Sequence, residues 1–250
     1  MAVAGDADIA ALASLLADRT RARILLVLFD GRALPASLLA AEAGVAASTA
    51  SEHLRKLVDA GLVTVHPQGR HRYFRLRDAE VASLIESLSR LAPANEVRSL
   101  RESNRLALLR RARTCYDHLA GQLGVAIFGG LLERRAIAGG DGVHRVDGAG
   151  EDRLSAPGRD LAYRLTPDGR GLLLDLDVEL PAPEPDGTTP LRYCVDWTEQ
   201  RHHLSGVVGR ALARRLFDLG WVERNHVARA VRVTDDGRRG LRRAFGAEVA

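Results

Sequence analysis

The chain has 250 residues, enough for a sizeable core and long for one small domain, so two domains are expected. No apolar run approaches the ~18–20 residues needed to span a bilayer, and the opening stretch (MAVAGDADIAALASLL) lacks the basic n-region of a secretory signal. Two cysteines cannot form a disulfide framework in a chain of this length, so a soluble cytoplasmic protein is expected. The pI near 9.6 points to a polyanionic partner, yet Lys56 is the only lysine and an arginine bias also follows from a GC-rich genome. Local charge is the better guide.

In chain order, Ile9, Leu12, Leu15 and Leu16 recur at helical spacing and predict a first amphipathic helix. Asp18 is placed to cap a second, Arg19 to Phe29, which Gly31 ends. Pro35 to Ala43 is a short helical pattern, joined through Gly44 and Val45 to a stronger one that closes at Gly61. In that last helix Ala50, Leu54, Leu57 and Val58 share one face. Ser48, Thr49, Ser51, Glu52, His53, Arg55 and Lys56 lie elsewhere on it, small hydroxyl residues first. Small side chains at a helix N-terminus let the backbone approach base edges in the major groove. By itself the pattern equally suits a solvated surface helix. The next stretch, LVTVHPQGRHRYFRL, alternates about a Pro67-Gln68-Gly69 turn and predicts a hairpin with Arg70, His71 and Arg72 at its tip. Val81, Leu84, Ile85, Leu88 and Leu91 then stripe a helix from Asp78 to Leu91, and Pro93 closes the domain.

Helix, glycine turn, helix and basic hairpin in this order resemble the ArsR/SmtB family of winged helix-turn-helix repressors over residues 8–91. The segments that carry the resemblance are ADRTRARILLVLFDG, LLAAEAGVAASTASEHLRKLVDAGLV and QGRHRYFRL. It implies a homodimer, assembled through the first helix and the helix after the wing, on a pseudo-palindromic operator of double-stranded DNA. An effector would release or retain that operator. Ser48, Thr49, Ser51, Glu52, His53, Arg55, Arg70, His71 and Arg72 are the expected DNA-binding residues. Two departures matter. Metal-sensing members often carry Cys-x-Cys where this chain has Leu38-Leu39-Ala40-Ala41, and others use Asp and His ligands on the helix after the wing, which here holds no histidine. Neither metal site carries over, and no metal or cofactor is expected from the resemblance.

The remainder reads as an internal duplication. RSLRESNRLALLRRARTCYDHLAGQLGVAIFGGLLERRAI predicts helix, broken near Gly121, and CVDWTEQRHHLSGVVGRALARRLFDLGWV reads alike. His118-Leu119-Ala120-Gly121 aligns with His203-Leu204-Ser205-Gly206 at a spacing of 85 residues, each preceded by Cys-x-Asp: Cys115 and Asp117, then Cys194 and Asp196. YRLTPDGRGLL and VRVTDDGRRGL end the two parts, a strand leading to a Thr-capped helix. The fold class expected is therefore mainly α with small β-wings (α+β): a winged helix-turn-helix domain over 1–92, then a domain of two winged-helix-like halves over about 96–180 and 191–250. Segments of RTCYDHLAG type also resemble two-domain members of the ArsR-like group. Ala138 to Asp160 is expected to be a flexible loop, and Pro181 to Pro190 a stiff linker between the halves.

No glycine-rich phosphate cradle, paired-carboxylate motif or nucleophile elbow is present, so an enzyme is not expected. Cys115 and His118 at i, i+3 allow thiolate activation only weakly. Six arginines against two glutamates between Glu96 and Arg113, and the wing tip, are the places suited to phosphate. The function expected is a sequence-specific repressor released by an effector. An effector-independent architectural dimer that coats DNA is the alternative. Cys115, Asp117, His118, Cys194, Asp196, Trp197 and His203, with His202 beside them, are the candidate effector residues. Three readings stay open for them: buried packing, a pocket for a small organic ligand, and metal or thiol sensing with three or four Cys and His ligands.

Overall fold

The computed structural model describes residues 7–29, 31–68, 71–92, 99–144 and 161–248. The chain divides into two compact units, Met1–Ile85 and Glu86–Ala250. No described helix is long and apolar enough to cross a membrane.

In the first unit, α1 (Ile9–Leu16) starts at Asp8, whose carboxylate accepts the Ala11 amide. Asp18 caps α2 (Arg19–Leu28) by accepting the Arg21 amide. The Arg21 guanidinium reaches back to the Leu15 and Ser14 carbonyls at 2.6 and 2.9 Å, satisfying acceptors that the end of α1 leaves open. β1 (Leu34–Pro35) leads to α3 (Ala36–Ala43), which ends on Gly44 in the left-handed region, and α4 (Ala47–Asp59) comes next. β2 (Val63–Gln68) and β3 (His71–Leu76) pair antiparallel with Gln68 opposite His71, and β1 joins the far edge of β3. α5 (Ala79–Leu91) closes the run of elements. The core unites Ile24, Leu28, Leu39, Ala50, Leu54, Leu57, Val63, Leu76 and Val81, one stripe from each element, as the 3.6- and 2-residue periods require. No residue of α1 is buried, and Ile9, Leu88 and Leu91 stay exposed.

The second unit corrects the helical reading of its repeated segments. α6 (Leu100–Arg111) stops at Ala112, and the chain turns into a hairpin of β4 (Arg113–Cys115) and β5 (His118–Ala120) before α7 (Gly121–Glu133) begins. β6 (Ile137–Ala138), β7 (Arg164–Leu165) and α8 (Pro167–Leu174) come after it, then β8 (Thr189–Pro190). The order then recurs as a hairpin of β9 (Arg192–Val195) and β10 (His202–Ser205), α9 (Gly206–Asp218), the β11 (Val222–Arg224) and β12 (Val231–Val233) ladder, and α10 (Asp235–Phe245). Every residue of β4 and β5 is buried, so no polar alternation marked them. A three-residue run buried on both faces cannot be told from helix by periodicity. Each half thus enters its long helix from a strand, where the N-terminal unit uses a helix and a turn.

The local devices repeat. Gly121 and Gly206 open the long helices at φ +73° and +65°, a region that other L-residues enter at a cost. Thr166 and Thr234 each accept the amide three residues on, Gly169 and Gly237, and so cap α8 and α10. The halves share one core: α7 packs on β10 and α9 on β5. Pro181 to Pro190 is not a free spacer. Arg170 donates to the Pro181 carbonyl, Arg164 pairs with Glu184 and Asp186, and β8 joins β7. Of the expected loop from Ala138 to Asp160, residues 145–160 lie outside the described residues.

Close approach across the halves is reciprocal. A Cβ on Gly124 would stand 2.5 Å from the Leu119 oxygen and 3.3 Å from His203 Cβ. One on Gly209 would stand 2.8 Å from the Leu204 oxygen and 3.3 Å from His118 Cβ. Gly124→Ala should therefore cost about 1–3 kcal/mol in urea unfolding, since its obstacle is backbone and cannot rotate away. Gly129→Ala, on the same helix with open space around the new carbon, should gain roughly 0.5–1 kcal/mol from helix propensity. Equal effects at the two positions would contradict this packing.

Candidate functional site

Two places collect the residues that the sequence singled out. On α4, Ser48, Thr49, Ser51, Glu52 and Arg55 are exposed, opposite buried Ala50, Leu54 and Leu57. The Ser51 hydroxyl donates to the Ala47 carbonyl at 2.8 Å, Glu52 pairs with Lys56 at 2.8 Å, and Arg55 with Asp59 at 3.4 Å. These i, i+4 pairs are weak and solvated, so their members remain able to turn to another partner. His53 behaves differently: it is half-buried, with Nδ1 3.5 Å from the Asp18 carboxylate that caps α2. Of the wing residues, Arg72 is exposed on β3, His71 is in that strand, and Arg70 lies outside the described residues. Nothing in the arginine-rich stretch guarantees phosphate binding. Arg113 at its end is fully buried, and Arg110 pairs with Glu199 at 2.9 Å.

The second place lies where the two C-terminal hairpins meet. Cys115 and His118 are opposite one another in the β4–β5 register, and Cys194 and His203 are opposite in β9–β10. The expected i, i+3 helical pair is thus a cross-strand pair. All four side chains are buried, both cysteines are free thiols, and one ligand atom from each of the four falls within 4.8 Å of the others. The two imidazoles stack with centroids 5.3 Å apart.

The aspartates of the Cys-x-Asp pairs stand behind the histidines. Asp117 Oδ1 is 3.2 Å from His118 Nδ1, and Asp196 Oδ2 is 3.8 Å from His203 Nδ1. Their other duties differ. Asp117 is partly exposed beside Arg210, whereas Asp196 is wholly buried and both of its oxygens accept from Arg113 Nη2 at 2.9 Å. Asp196 also accepts the Gly121 amide at 2.6 Å, and so binds the second hairpin to the start of α7. Trp197 is partly exposed, with its ring 4.7 Å from the Arg113 guanidinium carbon. His202 does not join the cluster. On the opposite face of β10, its Nδ1 meets the Tyr163 hydroxyl at 2.9 Å.

These surroundings set the charge states. Burial opposes ionisation of Asp196, but Arg113 and His203, with the Thr198 hydroxyl and the Gly121 amide, hold its carboxyl well below the usual carboxylate range. Burial pushes His203 down to about 3 against the pull of Asp196, so its imidazole is neutral. The Cys194 sulfur, burial and Glu86 together raise the Cys115 thiol well above its ordinary value. Burial lowers His118, but Cys115 and Asp117 outweigh it and raise it to about 10. Since Cys115 is a neutral thiol at neutral pH, Asp117 and Glu86 are the charges that stand against burial there.

Sequence reasoning missed Arg113, counted as a basic-patch residue, and Glu86, whose carboxylate accepts the Cys115 thiol at 3.2 Å. No local signal marked either. A buried arginine is identified only by its partner, which here lies 83 residues along the chain.

Comparison with known proteins matches residues 16–66 to the family described as a helix-turn-helix domain. The uncharacterized HTH-type transcriptional regulator YdfF of Bacillus subtilis is 38% identical over 231 residues, 92% of this chain and 94% of that protein. The HTH-type transcriptional regulator CmtR of Mycobacterium tuberculosis is 39% identical over 83 residues, 33% of this chain and 70% of that one. Among solved structures, the homodimeric winged helix-turn-helix DNA-binding domain Mb0332 of Mycobacterium bovis is 28% identical with a TM-score of 0.32, covering 36% of this chain and 89% of that one. The full-length match to YdfF extends through the second unit, beyond the helix-turn-helix segment common to many regulators. The chain belongs to the ArsR/SmtB-like helix-turn-helix transcriptional regulators.

Proposed function

We propose that this DNA-binding regulator is a homodimeric repressor of a pseudo-palindromic operator, and that its C-terminal unit receives the effector. The observation that carries this reading is the exposed N-terminal face of α4. Ser48, Thr49 and Ser51 project from a helix whose opposite face is anchored in the core, and a wing bearing Arg72 comes after it. Small groups there leave room for a base edge, with Glu52 and Arg55 further along to accept from or donate to it. Dimerisation is supported by α1, which buries no residue within its own chain, and by Ile9, Leu88 and Leu91, which remain open to a second copy. A dimer would present two α4 helices about one DNA turn, ~34 Å, apart.

Footprinting of the DNA upstream of the gene, with sedimentation of the protein, tests the reading. A protected inverted repeat bound by a dimer is expected. A monomer at micromolar concentration, or affinity indifferent to sequence, would contradict it, the latter in favour of an architectural DNA-coating protein. The wing makes a separate prediction. Arg72→Ala, or Arg70→Ala beside it, should weaken operator and unrelated DNA alike. The slope of log affinity against log salt should fall by about one unit for each phosphate no longer neutralised. An unchanged slope would remove the wing from the interface.

A further inference from the structure

We propose that Cys115, His118, Cys194 and His203 form a tetrahedral site for a thiophilic divalent ion of the Zn2+ class, one Cys–His pair from each half of the C-terminal unit. Two thiolates and two imidazoles are a ligand set that such ions favour over hard cations. In a closed tetrahedral site at sulfur and nitrogen distances of about 2.3 and 2.1 Å, ligand atoms stand roughly 3.3–3.8 Å apart. Here the four candidate atoms already lie within 4.8 Å of one another, so contraction by about an ångström through side-chain rotation closes the site.

Three further observations point at a ligand. The Nε2 atoms of His118 and of His203 are buried and have no hydrogen-bond partner among the described residues, an arrangement that costs free energy unless something fills it. His118 turns its Nδ1 to Asp117 at 3.2 Å, as metal-bound histidines do when a carboxylate fixes their ring orientation, and His203 Nδ1 stands 3.8 Å from Asp196, beyond hydrogen-bond reach. The third is symmetry. Cross-strand Cys–His register, an aspartate two residues after each cysteine and a reciprocal glycine contact behind each histidine occur once in each half. Packing alone would not require buried, unpartnered imidazole nitrogens in both halves.

Binding exchanges protons for the ion. The Cys115 and Cys194 thiols and the His118 imidazolium each lose a proton to solvent as their bonds to the ion form, and the two thiolates neutralise the dication. Arg113 adds no net charge, since its guanidinium is ion-paired with Asp196 at 2.9 Å. Ionising Cys115 also removes the hydrogen bond it donates to Glu86. The site stands whether or not operator binding responds to it.

Full-length reduced protein, stripped with a chelator and titrated with Co2+ in the absence of DNA, tests the assignment. One equivalent per chain should saturate intense visible bands of tetrahedral cobalt with sulfur-to-cobalt charge transfer in the near ultraviolet. Zn2+ should bleach both and shield the two thiols from a thiol reagent. Cys115→Ser, Cys194→Ser and His203→Asn should each weaken cobalt binding at least tenfold, while exposed His226→Gln binds like the parent. A weak octahedral spectrum, no saturation at one equivalent, or tetrahedral binding retained in a Cys115→Ser/Cys194→Ser protein with parental near-ultraviolet dichroism would each overturn it. So would a Cys115–Cys194 disulfide forming readily in a protein that takes up no cobalt, in favour of a thiol switch. Failure of operator binding would leave this result untouched, and failure here would leave the operator reading standing.

Discussion

Asp196→Ala should destabilise the C-terminal unit by about 3–5 kcal/mol, because it strands a buried guanidinium without its counter-charge. Arg113 is 1% exposed, and both of its short charged contacts run to Asp196. The same substitution frees the Gly121 amide at the entry of α7 and unties the turn in which Thr198 and Glu199 donate to the carboxylate. Both tryptophans, Trp197 and Trp221, lie in this unit, so their fluorescence in urea reports it selectively. An apolar pair, Arg113→Met with Asp196→Leu, should be far milder than Asp196→Ala alone, since neither charge is then left buried. The carboxyl titrates below its usual range, so its contribution is present above the unfolded pKa of about 3.9 and is lost only as pH falls through the depressed folded value. Asp196→Ala should remove that acid-limb dependence. A loss of less than about 1 kcal/mol would mean that the pair behaves as a solvated one.

The second large effect belongs to DNA selection. Thr49→Tyr should abolish discrimination between the operator and unrelated duplex, a ratio that for specific regulators runs from about 10³ upward. The effect is steric. Thr49 is exposed in the first turn of α4, where a ring would hold the helix away from base edges. Its neighbour Ala50 and then Leu54 and Leu57 keep the helix seated in the core. Thermal stability and dimerisation should therefore be unchanged, and the salt-dependent affinity for any DNA retained. Competition binding with matched and scrambled duplexes reads the ratio. Discrimination kept by the tyrosine variant would move the recognition face elsewhere.

The N-terminal unit was legible in the sequence almost element by element. Asp18 caps α2, Gly44 and Gly61 end α3 and α4 in the left-handed region, and β2 and β3 pair as expected, although Pro67 and Gln68, read as turn residues, lie in β2 opposite Arg72 and His71. Those features are local: a cap, a left-handed glycine and a two-residue period each need only a few neighbouring residues to be recognised. In the C-terminal unit the spacing of the matched residues was legible, but not the conformation of the segments that carry them. The matching of His118 with His203 and of Cys115 with Cys194 was already present as spacing, and it survives as matching positions in two hairpins. That those segments are hairpins rather than helix was decided by burial on all sides, which erases the alternation a strand otherwise shows.

Partners across the fold were beyond the sequence altogether. It placed Asp117 and Asp196 as equals, yet only Asp196 meets a buried arginine, and it grouped His202 with His203 although successive strand residues face opposite ways. Which cysteine lies near which histidine, and that four such groups converge, depends on the packing of α7 against β10 and α9 against β5. Local chemistry determined the elements and their repeat; the contact between two distant hairpins decided where the buried thiols, imidazoles and charges meet.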